Sequence, residues 1–148
     1  MAVISCSKVI LCNNSKIKNL PDNVKVVGFL DDMLGLLKSV DLIVSRAGAS
    51  TIAEITALEI PSILIPSPYV THNHQYKNAK VLEDAGASIL IEEKDLNSEV
   101  LINKIDEVLN DSNKIKNMKN ANAKLAIKDS STQIYKILRE TINGDNNE

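Results

Sequence analysis

The chain has 148 residues, 44% hydrophobic and 24% charged, with a net charge of −2, which is enough for one domain with a sizeable core. A near-neutral balance offers no general attraction to a nucleic-acid backbone, and one Phe, three Tyr and no Trp leave few platforms for stacking bases. No run approaches the ~18 apolar residues of a membrane-spanning helix, and the amino end, MAVISCSKVILCNNS, lacks a charged segment followed by a sustained apolar one, so a soluble, cytoplasmic chain is expected.

The first periodic segment, residues 8–12 (KVILC), is followed by four more short β-branched runs at 24–28 (VKVVG), 41–45 (DLIVS), 62–65 (SILI) and 88–91 (SILI). Segments of helical period alternate with them, the pattern of βαβ units building a parallel sheet. The runs are apolar almost throughout, as in strands covered by helices on both faces. Cys6 and Cys12 sit in or beside the first run without metal-ligand spacing, and read as small buried residues or reduced thiols. Asp31 and Asp32 precede Met33, Leu34, Leu36 and Leu37, carboxylates at the start of a helix. Residues 51–59 carry Ile52, Ile55 and Leu58 at three-residue spacing, and Pro61 prevents continuation. A third helix is predicted over 73–85, closed by Gly86. Three helices then follow one another at 99–109, 113–127 and 131–142, and residues 143–148 read as a disordered tail. The fold class is α/β, a Rossmann-like parallel sheet with helices on both faces, in one domain over residues 1–148.

Two features set this unit apart. Only seven residues precede the first run, too few for a strand, turn and helix, and none of the five Gly forms a G-x-G cluster. Either phosphate binding is arranged elsewhere, or the first strand and glycine-rich loop of such a fold are missing and the chain begins partway through a larger one, which would expose a sheet edge. The last helix, with Ile134, Ile137, Leu138 and Ile142 at helical spacing, either closes the core or presents a bare apolar face. Edge or helix would then offer a homodimer surface.

Ligands of parallel sheets gather outside the carboxyl ends of the strands, where three loops carry unusual residues. In the first, GFLDDM at 28–33, exposed backbone can read the hydrogen-bonding edge of a flat base beside Phe29, although spacing alone favours a plain strand-to-helix turn capped by Asp31 or Asp32 with Phe29 in the core. In the second, SRAGAST at 45–51, the small residues Gly48, Ala49, Ser50 and Thr51 let a ligand approach a helix amino end suited to pyrophosphate. Arg46, one of only two Arg in the chain, adds a cation, and Glu54, a turn further in, can accept from both hydroxyls of a ribose. The same residues also spell a capping box, with Thr51 as the cap and Glu54 reaching back. In the third, residues 66–79, two prolines lead to His74, Gln75 and Asn78 on one side of a helix, a set suited to sugar hydroxyls. His72 and His74 lack further ligands at metal spacing, and there is no G-x-S-x-G elbow, Cys–His pairing or P-loop. No metal or cofactor is expected, and no residue is singled out as a catalytic nucleophile.

Taken together and in order, GFLDDM, SRAGASTIAEI, IPSPYVTHNHQYKNA and VLEDAGAS resemble the C-terminal, donor-binding domain of the MurG family, glycosyltransferase family 28, from about Val24 to the last helix. That family moves N-acetylglucosamine from UDP-GlcNAc onto lipid I in peptidoglycan synthesis. The resemblance implies the C-terminal half of a GT-B fold. By position it implies Leu30 backbone against uracil, Glu54 on the ribose, and Gly48, Ala49, Ser50 and Thr51 along the pyrophosphate and the O4 side of the sugar. Arg46 at the same edge would stabilise the departing UDP, and His74 and Gln75 would face the GlcNAc, where many relatives carry two Gln. Asn78 matches the motif as a ligand contact or as scaffold. The implied partners are UDP-GlcNAc and an N-terminal acceptor-binding domain that holds lipid I at the cytoplasmic face of the plasma membrane; alone, this chain is expected to be inactive. Two other readings are a non-catalytic UDP-sugar-binding subunit that docks a separate acceptor-binding partner, and a relative that uses UDP-galactose on diacylglycerol.

Overall fold

The computed structural model describes residues 2–5, 8–12, 22–27, 31–127 and 129–144, with the first two stretches and residues 143–144 as backbone. Strands β1 (Ala2–Ser5), β2 (Lys8–Cys12), β3 (Val24–Val27), β4 (Leu42–Ser45), β5 (Ser62–Leu64) and β6 (Ser88–Leu90) form one sheet in the order β3-β2-β1-β4-β5-β6. This is the strand order of the doubly wound dinucleotide fold. The five runs read from the sequence are all strands and all point the same way, since β2 pairs with β3, β4 with β5 and β5 with β6 in parallel.

The amino end departs from expectation. Residues 2–5 fill the central slot, pairing antiparallel with β2 on one side and with β4 on the other. Two residues separate β1 from β2, and so short a connection can join only antiparallel neighbours; a parallel pair needs a crossover of a dozen residues or more. The sheet is therefore mixed, and the edge expected from a missing first strand is closed by a reversed one. Its outer strands are β3 and β6.

Helices α1 (Met33–Leu37), α2 (Ala49–Ala57), α3 (His74–Asp84), α4 (Ser98–Leu109), α5 (Ser112–Leu125) and α6 (Ser130–Gly144) complete the fold, with 3-10 turns at Thr71–Asn73 and Glu93–Asp95. Three helices start on side-chain caps: Asp32 accepts from Gly35 N–H at 2.8 Å, Asn97 from Val100 N–H at 2.9 Å, and Asp111 from the N–H groups of Asn113 and Lys114 at 2.9 and 3.0 Å. Gly86 closes α3 as predicted: at φ +73° it donates to the Glu83 carbonyl while Ala87 donates to Leu82, a left-handed stop that suits a residue without Cβ. The last helix continues to Gly144, so residues 143–144 are helical; residues 145–148 lie outside the described residues, as does the side-chain setting of Cys6 and Cys12.

Successive residues of the strands point to opposite faces, and both faces are covered. Ile43 and Leu64 pack with Leu37, Ile55, Ala79 and Leu82 beneath α1, α2 and α3. Their neighbours Leu42, Val44 and Ile63 pack with Val108 and Met118 of α4 and α5. Helix α5 spans both layers, and its Asn122, fully buried, donates through one amide nitrogen to the carbonyls of Ile60, Ala87 and Met118, each at 3.1 Å. Between α4 and α5, the carboxylate of Glu107 binds Lys104 at 2.6 Å and also Lys114. These two hydrogen bonds, that of Lys104 foremost, hold its carboxyl below the ordinary glutamate range. Helix α6 stands apart from this core: Ile134, Ile137, Leu138 and Ile142 are 55–65% exposed. It does not close the core, and its apolar stripe is bare.

Replacing Asn122 with Ala is expected to strand the carbonyls of Ile60 and Ala87 and to lower the unfolding free energy by about 2–4 kcal/mol in a denaturant titration. The Glu107 pairing acts through pH. Because the carboxyl is depressed in the folded chain, its contribution is complete above the unfolded glutamate pKa of about 4.3 and is lost as pH falls through the folded value. The stability gap between the wild type and Glu107→Gln should be constant from about pH 6 to 8 and close below about pH 4.

Candidate functional site

The carboxyl ends of β2 to β6 share one edge of the sheet, and the described candidate residues lie along it. Leu30, with residues 28–29, lies outside the described residues.

Helix α2 begins at Ala49, two residues before the predicted start, with Gly48 at its N-cap in an extended conformation. Thr51 is therefore the third residue of the helix and caps nothing, and the capping box suggested by the sequence does not form. Gly48 supplies no side chain, so the N–H groups of Ala49, Ser50 and Thr51 have no partner among the described residues; the first helical bond runs from Ile52 N–H to the Gly48 carbonyl at 3.0 Å. Gly48 itself is not required by the fold. Its φ of −68° suits any residue, and an added Cβ would meet only Thr51 Oγ1, at 3.9 Å. What a Cβ would cover is the open helix end. Ala49 and Ser50 are exposed. One turn on from Ser50, Glu54 is also exposed, and its carboxylate makes no hydrogen bond or ion pair with any described residue.

Arg46 leaves the end of β4 and turns across the strand ends rather than standing free. Its Nη1 donates to the Ile65 carbonyl at 3.2 Å and to Glu93 Oε2 at 2.5 Å. Asn78 donates to the Ala47 carbonyl at 3.2 Å and so ties α3 to the loop that precedes α2. Its amide holds the scaffold.

The third loop is bent by backbone strain. His72 and Asn73 both occupy the left-handed region, at φ +55° and +53°, a conformation that costs a non-glycine residue about 1–2 kcal/mol. The kink starts α3 so that His74 Nδ1 meets the Thr71 carbonyl at 2.8 Å, and Gln75 Oε1 accepts from Ser67 N–H at 2.9 Å. Since a carbonyl only accepts, His74 carries its proton on Nδ1 and presents Nε2 as an acceptor when neutral. Gln75, its oxygen engaged, presents its NH2 as donors.

Beside these residues lies a cleft of about 470 Å³ that sequence reasoning missed, walled by Pro66, Pro68, Tyr69, Tyr76, Asn73 and Glu93. Lys94 on its rim binds Glu92 at 3.1 Å, and this hydrogen bond raises the lysine pKa and keeps it cationic. The available signal was the Glu92-Glu93 pair directly after the last strand, at the edge where ligands gather. No group of three or more potential metal ligands occurs among the described residues, and no described helix is long and apolar enough to cross a membrane.

These features define a doubly wound α/β unit with an anion-receptive helix end at its carboxyl edge. The glycosyltransferase family 28 C-terminal domain matches residues 7–134, and the chain belongs to that family. It is 50% identical over 123 residues to the UDP-N-acetylglucosamine--N-acetylmuramyl-(pentapeptide) pyrophosphoryl-undecaprenol N-acetylglucosamine transferase of Bacillus cytotoxicus, covering 83% of this chain and 34% of that protein. The protein of the same name from Lactobacillus johnsonii is 46% identical over 125 residues, covering 84% and 34%. The chain thus spans about a third of the length of the curated relatives it matches. Among solved structures, MurG of Acinetobacter baumannii superposes with a TM-score of 0.73 at 27% identity, over 81% of this chain and 36% of that one. The spinosyn forosaminyltransferase SpnP shares the fold with the same TM-score at 18% identity, over 90% and 33%. The architecture is that of the C-terminal half of a GT-B glycosyltransferase.

Glu54→Ala separates a ligand role from a structural one. With no capping box to lose, it should change stability by less than about 0.5 kcal/mol in thermal unfolding, whereas loss of a true cap would cost about 1 kcal/mol.

Proposed function

We propose that the chain is the donor-binding part of an inverting glycosyltransferase that holds UDP-GlcNAc for transfer to lipid I, giving lipid II in peptidoglycan synthesis. The observation that carries this reading is the open amino end of α2, with Gly48 at its cap and an unengaged Glu54 one turn in. In this arrangement the N–H groups of Ala49, Ser50 and Thr51 hold the diphosphate, Glu54 accepts from the ribose hydroxyls, and Leu30 reads uracil through its backbone. The sugar lies toward the cleft, where the His74 acceptor and the Gln75 donors meet its hydroxyls and acetamido group.

In transfer, the acceptor hydroxyl oxygen bonds to the anomeric carbon as that carbon's bond to the β-phosphate oxygen breaks. The electron pair stays on UDP, and the hydroxyl proton passes to a base. This chain supplies the leaving-group side of the reaction: helix-end N–H groups, the Ser50 and Thr51 hydroxyls, and the Arg46 cation stabilise the charge that develops on UDP. The acceptor and its base belong to an N-terminal domain, which must place the hydroxyl in line behind the anomeric carbon. Alone, this chain binds donor and does not turn over. The bare stripe of α6 is the surface we assign to contact with that domain, at the cytoplasmic face of the membrane.

Calorimetric titration tests the reading. The wild-type chain should bind UDP and UDP-GlcNAc, and Glu54→Ala should weaken UDP about tenfold or more, the scale of one charge-assisted hydrogen bond. Absence of binding by UDP and by every UDP-sugar tried would overturn it.

A further inference from the structure

Arg46 has five N–H donors in one rigid plane. Both hydrogens of Nη1 are used, one on the Ile65 carbonyl just past β5 and one on Glu93 Oε2 in the turn after β6. One nitrogen on the arm that leaves β4 therefore spans the exits of three neighbouring strands. Two fixed acceptors on one nitrogen set the plane of the guanidinium, and so set the direction of the three remaining donors, on Nε and Nη2. Those three have no partner among the described residues, and the Arg46 side chain is 50% exposed, so a ligand can reach them without breaking either anchor.

The two anchors differ in kind. The Ile65 carbonyl belongs to the sheet, because Ile65 N–H is bonded to the Ser45 carbonyl at 2.9 Å. Glu93 is the adjustable one, a side chain that is itself 32% exposed and forms part of the cleft wall. We infer that Glu93 is a positioning residue: it orients Arg46 toward the phosphates of a nucleoside diphosphate held at the amino end of α2, and its carboxylate charge is secondary to its hydrogen bond. The inference rests on the reading of α2 as the diphosphate site.

A countercharge and a positioning acceptor predict opposite signs. If Glu93 served only to offset the arginine charge, removing it would strengthen anion binding. As a positioning residue, its loss lets the guanidinium swing about its one remaining anchor, and binding weakens. The measurement is calorimetric titration of the full chain with UDP and with uridine, for the wild type, Glu93→Ala, Glu93→Gln, Arg46→Ala and the double variant Glu93→Ala/Arg46→Ala. Glu93→Ala should weaken UDP about three- to fivefold, the scale of an exposed ion pair, and leave uridine unchanged. Glu93→Gln, whose amide oxygen accepts the same hydrogen bond, should bind UDP at least as well as the wild type. The double variant should bind UDP no more weakly than Arg46→Ala alone. Tighter UDP binding by Glu93→Ala, equal losses for UDP and uridine, or an undiminished Glu93→Ala effect in the Arg46→Ala background would each overturn the inference while leaving the donor reading intact. If the wild-type chain binds no UDP at all, both fall.

Discussion

Asn122 fixes the frame on which the site is built. Its amide binds Ile60, two residues before β5, Ala87, just before β6, and the preceding turn of its own helix, all from a fully buried position. Both strands are only three residues long, and a strand that short has little ladder of its own to define where it starts. Clamping the starts of β5 and β6 to α5 sets their register against β4, and through it the height at which each strand leaves the opposite edge. The amide oxygen of Asn122 is buried without a partner, a cost of about 1–3 kcal/mol accepted inside the same interaction. A Leu of similar size would remove that cost and would also release the carbonyls of Ile60 and Ala87.

The chemistry at the far edge follows from this fixed register. Arg46, Ile65 and Glu93 come from the exits of three adjacent strands, and their bonds of 2.5 and 3.2 Å form only if those exits are level. Asn78 and Gln75 extend the same logic to α3, each giving one polar atom to a neighbouring loop: Asn78 to Ala47 and Gln75 to Ser67. The polar side chains that the sequence offered as ligand groups thus divide. Asn78 gives its amide N–H to the Ala47 carbonyl, Arg46 and Gln75 each give some of their polar atoms to neighbouring loops and keep others unengaged, and Glu54 and the amino end of α2 have no partner among the described residues.

What was legible in the sequence was what depends on local pattern. The five parallel runs, the Asp32 cap and the left-handed stop at Gly86 are written in neighbouring residues, and the resemblance of the separate motifs, taken in order, pointed to the right family. What was not legible depends on distance or on competition between local signals. Thr51 and Glu54 spell a capping box, yet the helix starts two residues earlier, because Gly48 and Ala49 can enter a helix and nothing in the motif forbids it. The Arg46–Glu93 pair spans 47 residues and leaves no trace in either neighbourhood. Residues 2–5 were too few for the expected strand, turn and helix, and the reading overlooked that a strand alone can enter the central slot in reverse.

That reversal bears directly on how an anion is held. In a fully parallel unit of this strand order, the central strand delivers its carboxyl end, with a glycine-rich turn and a helix amino end, to the ligand edge. Here Ala2 pairs with Val44 and Leu11, near the carboxyl ends of β4 and β2, so the start of β1 lies at the ligand edge and its carboxyl end at the other. No helix amino end is delivered from the central slot. Opposite α2, the edge is a strand start whose backbone amides are committed to the ladder. On the proposed reading, α2 and the three unengaged donors of Arg46 are the groups among the described residues that can neutralise a diphosphate. A helix end contributes roughly half a unit of positive charge, too little to offset a diphosphate alone. If α2 holds a diphosphate as proposed, the orientation of the Arg46 guanidinium bears directly on that binding, and its two anchors act on it without touching the ligand.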